Sequence, residues 1–426
     1  MSRHLDHRGR PLVAVTGMGI VSSLGRGQAD NWKALTSGRS GIHEISRFST
    51  QGLSTRIAGS VDFMEVPLVG ATELSFAMAR ESTLEALAEA GLDGDFDGPL
   101  YVAAPPIEAE WSARFGYGDR ARALGATGNA YERFAEVLRH QADPELHELI
   151  QFGSISERLA ERFGTRGLPV TLSTACASGA TAIQLGVEAI RQGHARRALT
   201  VATDGSISAE ALIRFSLLSA LSTQNDPPER ASKPFSKDRD GFVLAEGAAT
   251  LVLESAEAAA ARGAPILGYV AGCGEKADHF HRTRSSPDGG PAIATIREAL
   301  ADAGLGPEAI GYINAHGTST PENDRMEYLA LSSVFGSRLT NIPVSSNKSM
   351  IGHTLTAAGA IEAVFSLLTL RNGTLPPTIN HDTPDPAIEM DVVANVARNQ
   401  AVAAVLSNSF GFGGQNACLV MTAEPA

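Results

Sequence analysis

The chain is short of cysteine, short of positive charge and without a long apolar run. Its three cysteines, Cys176, Cys273 and Cys418, form an odd set at wide spacing. That excludes a disulfide framework and points to a reducing compartment, with the cytoplasm as the expected location. Lys and Arg number 35 against 47 Asp and Glu, a formal net charge of -12, so composition gives no support to a dedicated nucleic-acid binder. A local basic patch stays compatible with that balance. Nothing approaches the roughly 18 to 20 uninterrupted apolar residues of a membrane span. Met1 to Arg10 followed by Pro11 to Gly17 imitates a secretory leader, but Gly17 and Gly19 interrupt it and no small-x-small site follows closely. A first core strand is the expected reading.

What the sequence does have is material for a large core, with 43% apolar and 19% charged positions, and a recurring alternation. Short apolar or β-branched runs at 12–16, 100–103, 170–173, 198–202, 248–253, 266–270, 312–314, 342–345, 403–407 and 417–421 are mostly followed by a glycine turn and an alanine-rich stretch. Alternating strands and helices predict a layered α/β protein with buried sheets.

Segments of the first half also reappear in the second, in the same order. Gly17-Met-Gly19 answers Gly272-Cys-Gly274, and Glu85-Ala-Leu-Ala-Glu-Ala-Gly-Leu92 answers Glu298-Ala-Leu-Ala-Asp-Ala-Gly-Leu305. Gly179-Ala180 through Arg191-Gln-Gly193 answers Gly359-Ala360 through Arg371-Asn-Gly373. Two similar halves, 11–260 and 265–424, are expected, joined near Ala256 to Ala264. The shrinking offset puts extra residues in the first half, some between Gly19 and Glu85 and some near 108–154, where Tyr131 to Leu149 is charged and helix-like. No linker rich in Pro, Ser or like charge separates the halves, so neither reads as an independent domain.

Reactive residue types fall at the expected strand ends. Cys176 lies between a strand and a helix, among Ala175, Ala177, Ser178 and Gly179, which permit a sharp turn. A thiol facing the unpaired N–H groups of a helix N-terminus should titrate below its free value of about 8.5, as a nucleophile would. A buried structural cysteine is the other reading. His316 follows a strand in a loop carrying Thr318 and Thr320, while Lys348 and His353 precede the second-half helix. Either histidine alone is an ordinary loop or core residue; facing Cys176 together, they gain weight. Phe410-Gly-Phe-Gly-Gly414 would let backbone N–H groups approach a ligand, as an oxyanion hole requires.

With these motifs in order, nearly the whole chain resembles the β-ketoacyl-acyl-carrier-protein synthases of the thiolase superfamily, closest to elongating condensing enzymes with a Cys-His-His set. Lys237-Asp-Arg-Asp-Gly-Phe-Val243 and Leu375-Pro-Pro-Thr-Ile-Asn380 extend the resemblance. It implies the duplicated five-layer αβαβα thiolase-like fold and a homodimer. It implies Cys176 as nucleophile, His316 and His353 as catalytic histidines, and Lys348 as the lysine beside them, orienting His353. Glu362 and Asp324 match supporting acidic positions. Phe412 resembles a gating phenylalanine whose N–H, with that of Cys176, forms the oxyanion hole. Thr318, Thr320 and Gly413 would line the tunnel for a phosphopantetheine arm. The implied reaction is decarboxylative condensation of a malonyl thioester with an acyl group held on Cys176. No cofactor or metal is expected beyond the phosphopantetheine of an acyl carrier protein. Arg191, Arg196, Arg197 and Arg214 are candidates for docking that acidic partner.

Other patterns compete. Cys273, Asp278, His279 and His281 lack the paired spacing of a structural zinc site, and the resemblance places Asp278 and His281 beside the substrate channel. Gly272-Cys-Gly-Glu-Lys-Ala277 imitates a dinucleotide fingerprint without its third glycine. A thiolase would want a second catalytic cysteine, whereas Cys418 falls in an expected strand. A starter-type synthase would have asparagine in place of His353, and a non-catalytic chain-length subunit of the same fold would lack Cys176. A polyketide ketosynthase remains an open alternative to a fatty-acid enzyme. The segment from Tyr101-Val-Ala-Ala-Pro-Pro-Ile-Glu-Ala-Glu-Trp111 to Ser154 departs from the family's glycine- and serine-rich pattern, which leaves the preferred acyl group open.

Overall fold

The computed structural model describes residues 4–65, 70–140 and 144–426. Strands β1 (Val13–Ser22), β2 (Leu100–Ala103), β3 (Val170–Leu172), β4 (Arg197–Asp204) and β5 (Gly247–Ser255) lie side by side in the order β3-β2-β4-β5-β1. Strand β2 runs parallel to β3 and β4, whereas β5 is antiparallel to β4 and β1. The second half repeats the scheme with β6 (Gly268–Ala277), β7 (Tyr312–Asn314), β8 (Pro343–Ser345), β9 (Ala404–Phe410) and β10 (Gln415–Thr422), ordered β8-β7-β9-β10-β6. Every pairing direction is the same as in the first half. The two sets meet edge to edge, Ala14 and Val15 of β1 opposite Tyr269 and Gly268 of β6.

Helices complete the layers. In the first half come α1 (Ala71–Glu89), α2 (Trp111–Ala123), α3 (Ala130–His140), α4 (Pro144–Leu149), α5 (Ser154–Phe163), α6 (Ser178–Arg191) and α7 (Ala209–Leu217). The second half has α8 (Gly290–Ala303), α9 (Pro321–Phe335) and α10 (Ala358–Asn372). Helix α1 covers β1, β4 and β5, while α8 covers β6 and β10 with α9 beside it. Between the sheets lie α6 and α10, packed on each other, which gives the αβαβα arrangement. Helix α10 is buried on all sides from Ala358 to Leu370, as its nearly continuous apolar sequence requires. A Cβ on Gly179 would come 2.5 Å from the Ala360 nitrogen, and one on Gly359 would come 2.6 Å from the Ala180 nitrogen. The repeated Gly-Ala pairs are thus the contact between the two central helices.

The other repeated glycines explain themselves here and correct their sequence reading. Gly17 and Gly19 lie within β1, not after it, and Gly272 and Gly274 lie within β6. Cβ atoms there would overlap carbonyl oxygens of Ser82 and Ala86 on α1, or of Thr295 and Ala299 on α8. The imitation of a dinucleotide fingerprint is therefore a seat for an outer helix. Helices α2, α3 and α4 stand outside the repeated scheme, with a small core of Tyr117, Ala121 and Val137. Among the described residues, no helix is long and apolar enough to cross a membrane.

Candidate active site

Cys176 occupies the turn between β3 and α6. Ala175 takes a positive φ of 50°, a strained conformation of the kind that aims a neighbouring side chain, and Thr174 N–H donates to Ser178 Oγ at 2.8 Å to close the turn. Only 8% of Cys176 is exposed. Burial pushes its thiol up to about 11, against the smaller opposing effects of the Phe412 N–H and the Lys348 charge. That overturns the expected depression. The first N–H groups of the turn are already spent, Ala177 on Thr174 O at 3.1 Å and Ser178 on Ala175 O at 3.2 Å, so the helix start offers the sulfur little.

His316 leaves β7 into a loop held by Glu327 of α9, whose carboxylate accepts from His316 N at 2.8 Å, Gly317 N at 2.7 Å and Asn408 Nδ2 at 3.0 Å. His353 is fixed through its backbone, donating to Val243 O at 2.7 Å. Its Nδ1 accepts from Leu355 N at 3.3 Å. Lys348 is only 1% exposed; it is not a solvated lysine, and it serves the other histidine from the one expected. Its Nζ donates to His316 O at 2.7 Å, to His316 Nδ1 at 3.3 Å and to the Glu362 carboxylate. Since Lys and backbone N–H groups only donate, Nδ1 of each ring is the acceptor and each proton sits on Nε2. Burial, helped by the Lys348 charge, drives both imidazoles well below their ordinary titration range, so they are neutral. Burial raises Glu362, and Lys348 holds it back.

These elements bring one ligating atom each of Cys176, His316 and His353 within 4.8 Å of one another. Five rings run edge to edge across the site: Phe215 to Phe242 at 5.4 Å, Phe242 to His353 at 5.3 Å, His353 to His316 at 5.2 Å and His316 to Phe410 at 6.0 Å. A cavity of about 1090 Å³ opens on the set, and Thr318, Thr320, Phe412 and Gly413 line it. Thr318 and Thr320 hydrogen-bond each other at 2.8 Å, and Gly413 N–H donates to Arg282 O at 2.8 Å. Asp324 faces away from this work, accepting from Phe235 N at 2.9 Å beside Arg239.

Other candidates separate. Arg191 is buried against Asp302 at 2.6 Å, and Arg197 pairs with Glu254. With Arg196 they sit at the far end of α6, about 20 Å of helix from Cys176, so they do not frame the cavity. Arg214 does, but it is held by Glu108 and Glu210. Arg284 and Arg325 also line the cavity and had no sequence signal. Asp278 accepts from Ser286 and Phe280, and His281 lines the cavity. Cys273 and Cys418 are buried on β6 and β10. Sequence reasoning also passed over Asp204, which accepts from Thr356 Oγ1 at 2.8 Å and so pins the segment after His353. Glu327 carried one usable signal: with Asp324 it places two carboxylates three residues apart on the buried side of α9.

The "Beta-ketoacyl synthase, N-terminal domain" matches residues 11–95 and 110–259, and the corresponding C-terminal domain matches 267–382. A 3-oxoacyl-[acyl-carrier-protein] synthase 2 of Coxiella burnetii is 36% identical over 421 residues, covering 96% of this chain and 98% of that protein. The tetracenomycin polyketide synthase ketoacyl synthase alpha subunit of Streptomyces glaucescens is 37% identical over 431 residues, covering 99% and 98%. A solved type II polyketide acyl-carrier protein in complex with its ketosynthase bound to the hexaketide superposes with a TM-score of 0.85 at 30% identity, covering 97% of this chain and 99% of that one. By sequence and by fold, the chain belongs to the β-ketoacyl synthase family.

Proposed function

We propose that the protein condenses an acyl group held on Cys176 with a malonyl thioester, both delivered by acyl carrier protein, to give a β-ketoacyl thioester longer by two carbons. The observation that carries this is the pair of neutral imidazoles, each with its proton on Nε2, beside one buried thiol. The Cys176 sulfur attacks the acyl thioester carbonyl, and its proton leaves with the released carrier thiol. The N–H groups of Cys176 and Phe412 are the oxyanion donors in this reading; it is supported by the Phe412 N–H reaching the sulfur and by Gly411, whose missing side chain lets the end of β9 approach the Cys176 nitrogen.

Malonyl thioester then loses carbon dioxide, and the bonding pair stays behind as an enolate. Its oxygen accepts from His316 and His353 Nε2–H, donors already in place where charge develops. The carbanion attacks the acyl carbonyl and expels the Cys176 thiolate, which takes up a proton. Lys348 and Glu362 hold the His316 tautomer. Thr318, Thr320 and Gly413 take the phosphopantetheine arm, which the substrate brings with it, so no further cofactor is used. Arg284 and Arg325 are the basic residues in this reading for the acidic carrier, in place of Arg191, Arg196 and Arg197.

The exposed edge strand β3, with Val170 at 42% exposure, suits pairing with a second copy or a related subunit. Solved relatives include complexes of a ketosynthase with its chain length factor. Intact-mass measurement after mixing with a panel of acyl carrier thioesters tests the reading. An acyl adduct maps to Cys176 and is lost in C176A, and H353N stops malonyl decarboxylation while loading persists. An adduct on another residue, or none with any donor, rules the reading out.

A further inference from the structure

We propose that Asp204 is a positioning residue for His353: reaching across from the first half of the chain, it holds the Leu355 N–H against the ring and so keeps the ring proton on Nε2. This rests on the condensation reading above, in which that proton meets the enolate. The two histidines are set differently. His316 Nδ1 has a side-chain donor in Lys348, whereas His353 Nδ1 is met by a backbone donor, Leu355 N, at 3.3 Å. That donor is only as well placed as the turn that carries it.

The turn is under strain. Leu355 has a φ of 45°, a left-handed conformation that residues other than glycine rarely adopt. Relaxing it to a negative φ would swing the preceding peptide, and with it the N–H that faces the imidazole. Upstream, His353 is tied by its own backbone, N to Val243 O at 2.7 Å and O to Ala245 N at 3.0 Å. Within the turn, Ala357 N donates to Thr354 O at 2.9 Å. A restraint from outside acts on Thr356, one residue past Leu355. Its N–H donates to Asp204 Oδ2 at 3.2 Å, and its hydroxyl lies 2.8 Å from the same oxygen and 2.7 Å from Thr203 O.

Asp204 is itself held fast. It ends β4 and is 1% exposed. Its Oδ1 accepts from Ser206 N at 3.1 Å and from Ser206 Oγ at 2.5 Å, so each carboxyl oxygen is fixed from its own side. Asp204 lines the cavity together with Cys176, yet with both oxygens occupied it is no base for the substrate. Backbone N–H groups only donate, and one meets each oxygen. An amide has a single acceptor and would turn its own N–H groups on one of these donors. D204N, of nearly the same volume, therefore breaks the hold without opening a cavity.

The test reads the ring directly. In enzyme labelled on the histidine nitrogens, NMR distinguishes a proton on Nε2 from one on Nδ1, and the His353 signals are those lost in H353N. In D204N they move from the Nε2-protonated form toward a mixture of both tautomers, while those of His316 stay. Malonyl decarboxylation falls about tenfold, and acyl loading of Cys176 falls far less. T356V, which removes the hydroxyl alone, goes part of the way, and T356S, which keeps it, falls less than T356V. T356V replaces D204N should that variant fail to fold by circular dichroism. A His353 proton that stays on Nε2 in the folded variant overturns the proposal, as does an equal loss of loading and decarboxylation, which would make Asp204 merely structural. A wild type that decarboxylates no malonyl thioester removes the condensation reading alone, because the ring nitrogens still report on Asp204.

Discussion

Lys348 and His316 are joined twice, Nζ to the His316 carbonyl at 2.7 Å and Nζ to Nδ1 at 3.3 Å, while Glu362 neutralises the same ammonium from within the core. The lysine cannot touch Nδ1 as a donor without forcing the ring proton to Nε2. Its part is to position His316, so its loss should separate the two half-reactions. In K348A, malonyl decarboxylation falls about a hundredfold, while acyl loading of Cys176 by a thioester donor falls far less. Equal losses in both would mean a merely structural lysine. K348R, which keeps the charge, should recover part of the decarboxylation rate. Because K348A leaves Glu362 buried without its partner, that variant also loses about 3 to 5 kcal/mol of stability, readable by urea denaturation.

The thiol of Cys176 gives a second prediction. With burial holding it near 11, the thiolate fraction grows in proportion to hydroxide throughout the neutral range. Iodoacetamide alkylation of Cys176, mapped by peptide mass, should rise about tenfold per pH unit from neutrality to about pH 10. A plateau already reached near pH 8 would restore the helix-terminus effect as the dominant one.

Residues whose chemistry and local pattern coincide were legible in the sequence. Cys176 and His316 stand just after strands and Lys348 and His353 just before the second-half helix, all among small residues, and the doubling of a sheet-and-helix unit shows in the repeated glycines and alanine-rich helices. Contacts between distant segments were not legible. The ammonium of Lys348 reaches a histidine 32 positions away, and Arg191 is buried by Asp302, 111 positions on, where spacing says nothing. The sign of the Cys176 shift failed for the same reason: a helix terminus is visible in a sequence, while the depth of burial that outweighs it is set by segments far along the chain, such as the one at Gly411. Gly17 and Gly19 read as a turn because glycine in a strand and glycine in a loop look alike until the helix above them is seen.

Those glycines give a third prediction. A Cβ on Gly272 would overlap the Ala299 carbonyl and meet the Ala303 nitrogen at 2.6 Å, and the same seat exists at Gly17. Backbone cannot give way as a flexible side chain can, so G272A must lift α8 off β6. The expected cost is about 1 to 3 kcal/mol, seen as a lower melting temperature, with G17A behaving alike because the halves repeat. A melting temperature at or above that of wild type would show the outer helix to be free to shift.

The neutral histidines make folding depend on pH in a direction that can be worked out. His316 and His353 titrate well below their ordinary range when folded, by burial and then by the Lys348 charge, but near 6.5 in the unfolded chain. Below that value the unfolded state binds protons that the folded state refuses, so each histidine subtracts stability as pH falls. Asp204, Asp324, Glu327 and Glu362 act the other way, since burial raises them and the folded state binds their protons first. The net slope of the wild type mixes both, but comparison with a variant isolates one residue. Between pH 7.5 and 5.5, urea unfolding of the wild type should lose about 1 kcal/mol more than unfolding of H353N. Equal losses, or a larger loss in the variant, would mean that His353 takes up a proton in the folded enzyme, and it could then no longer be the neutral donor that meets the enolate.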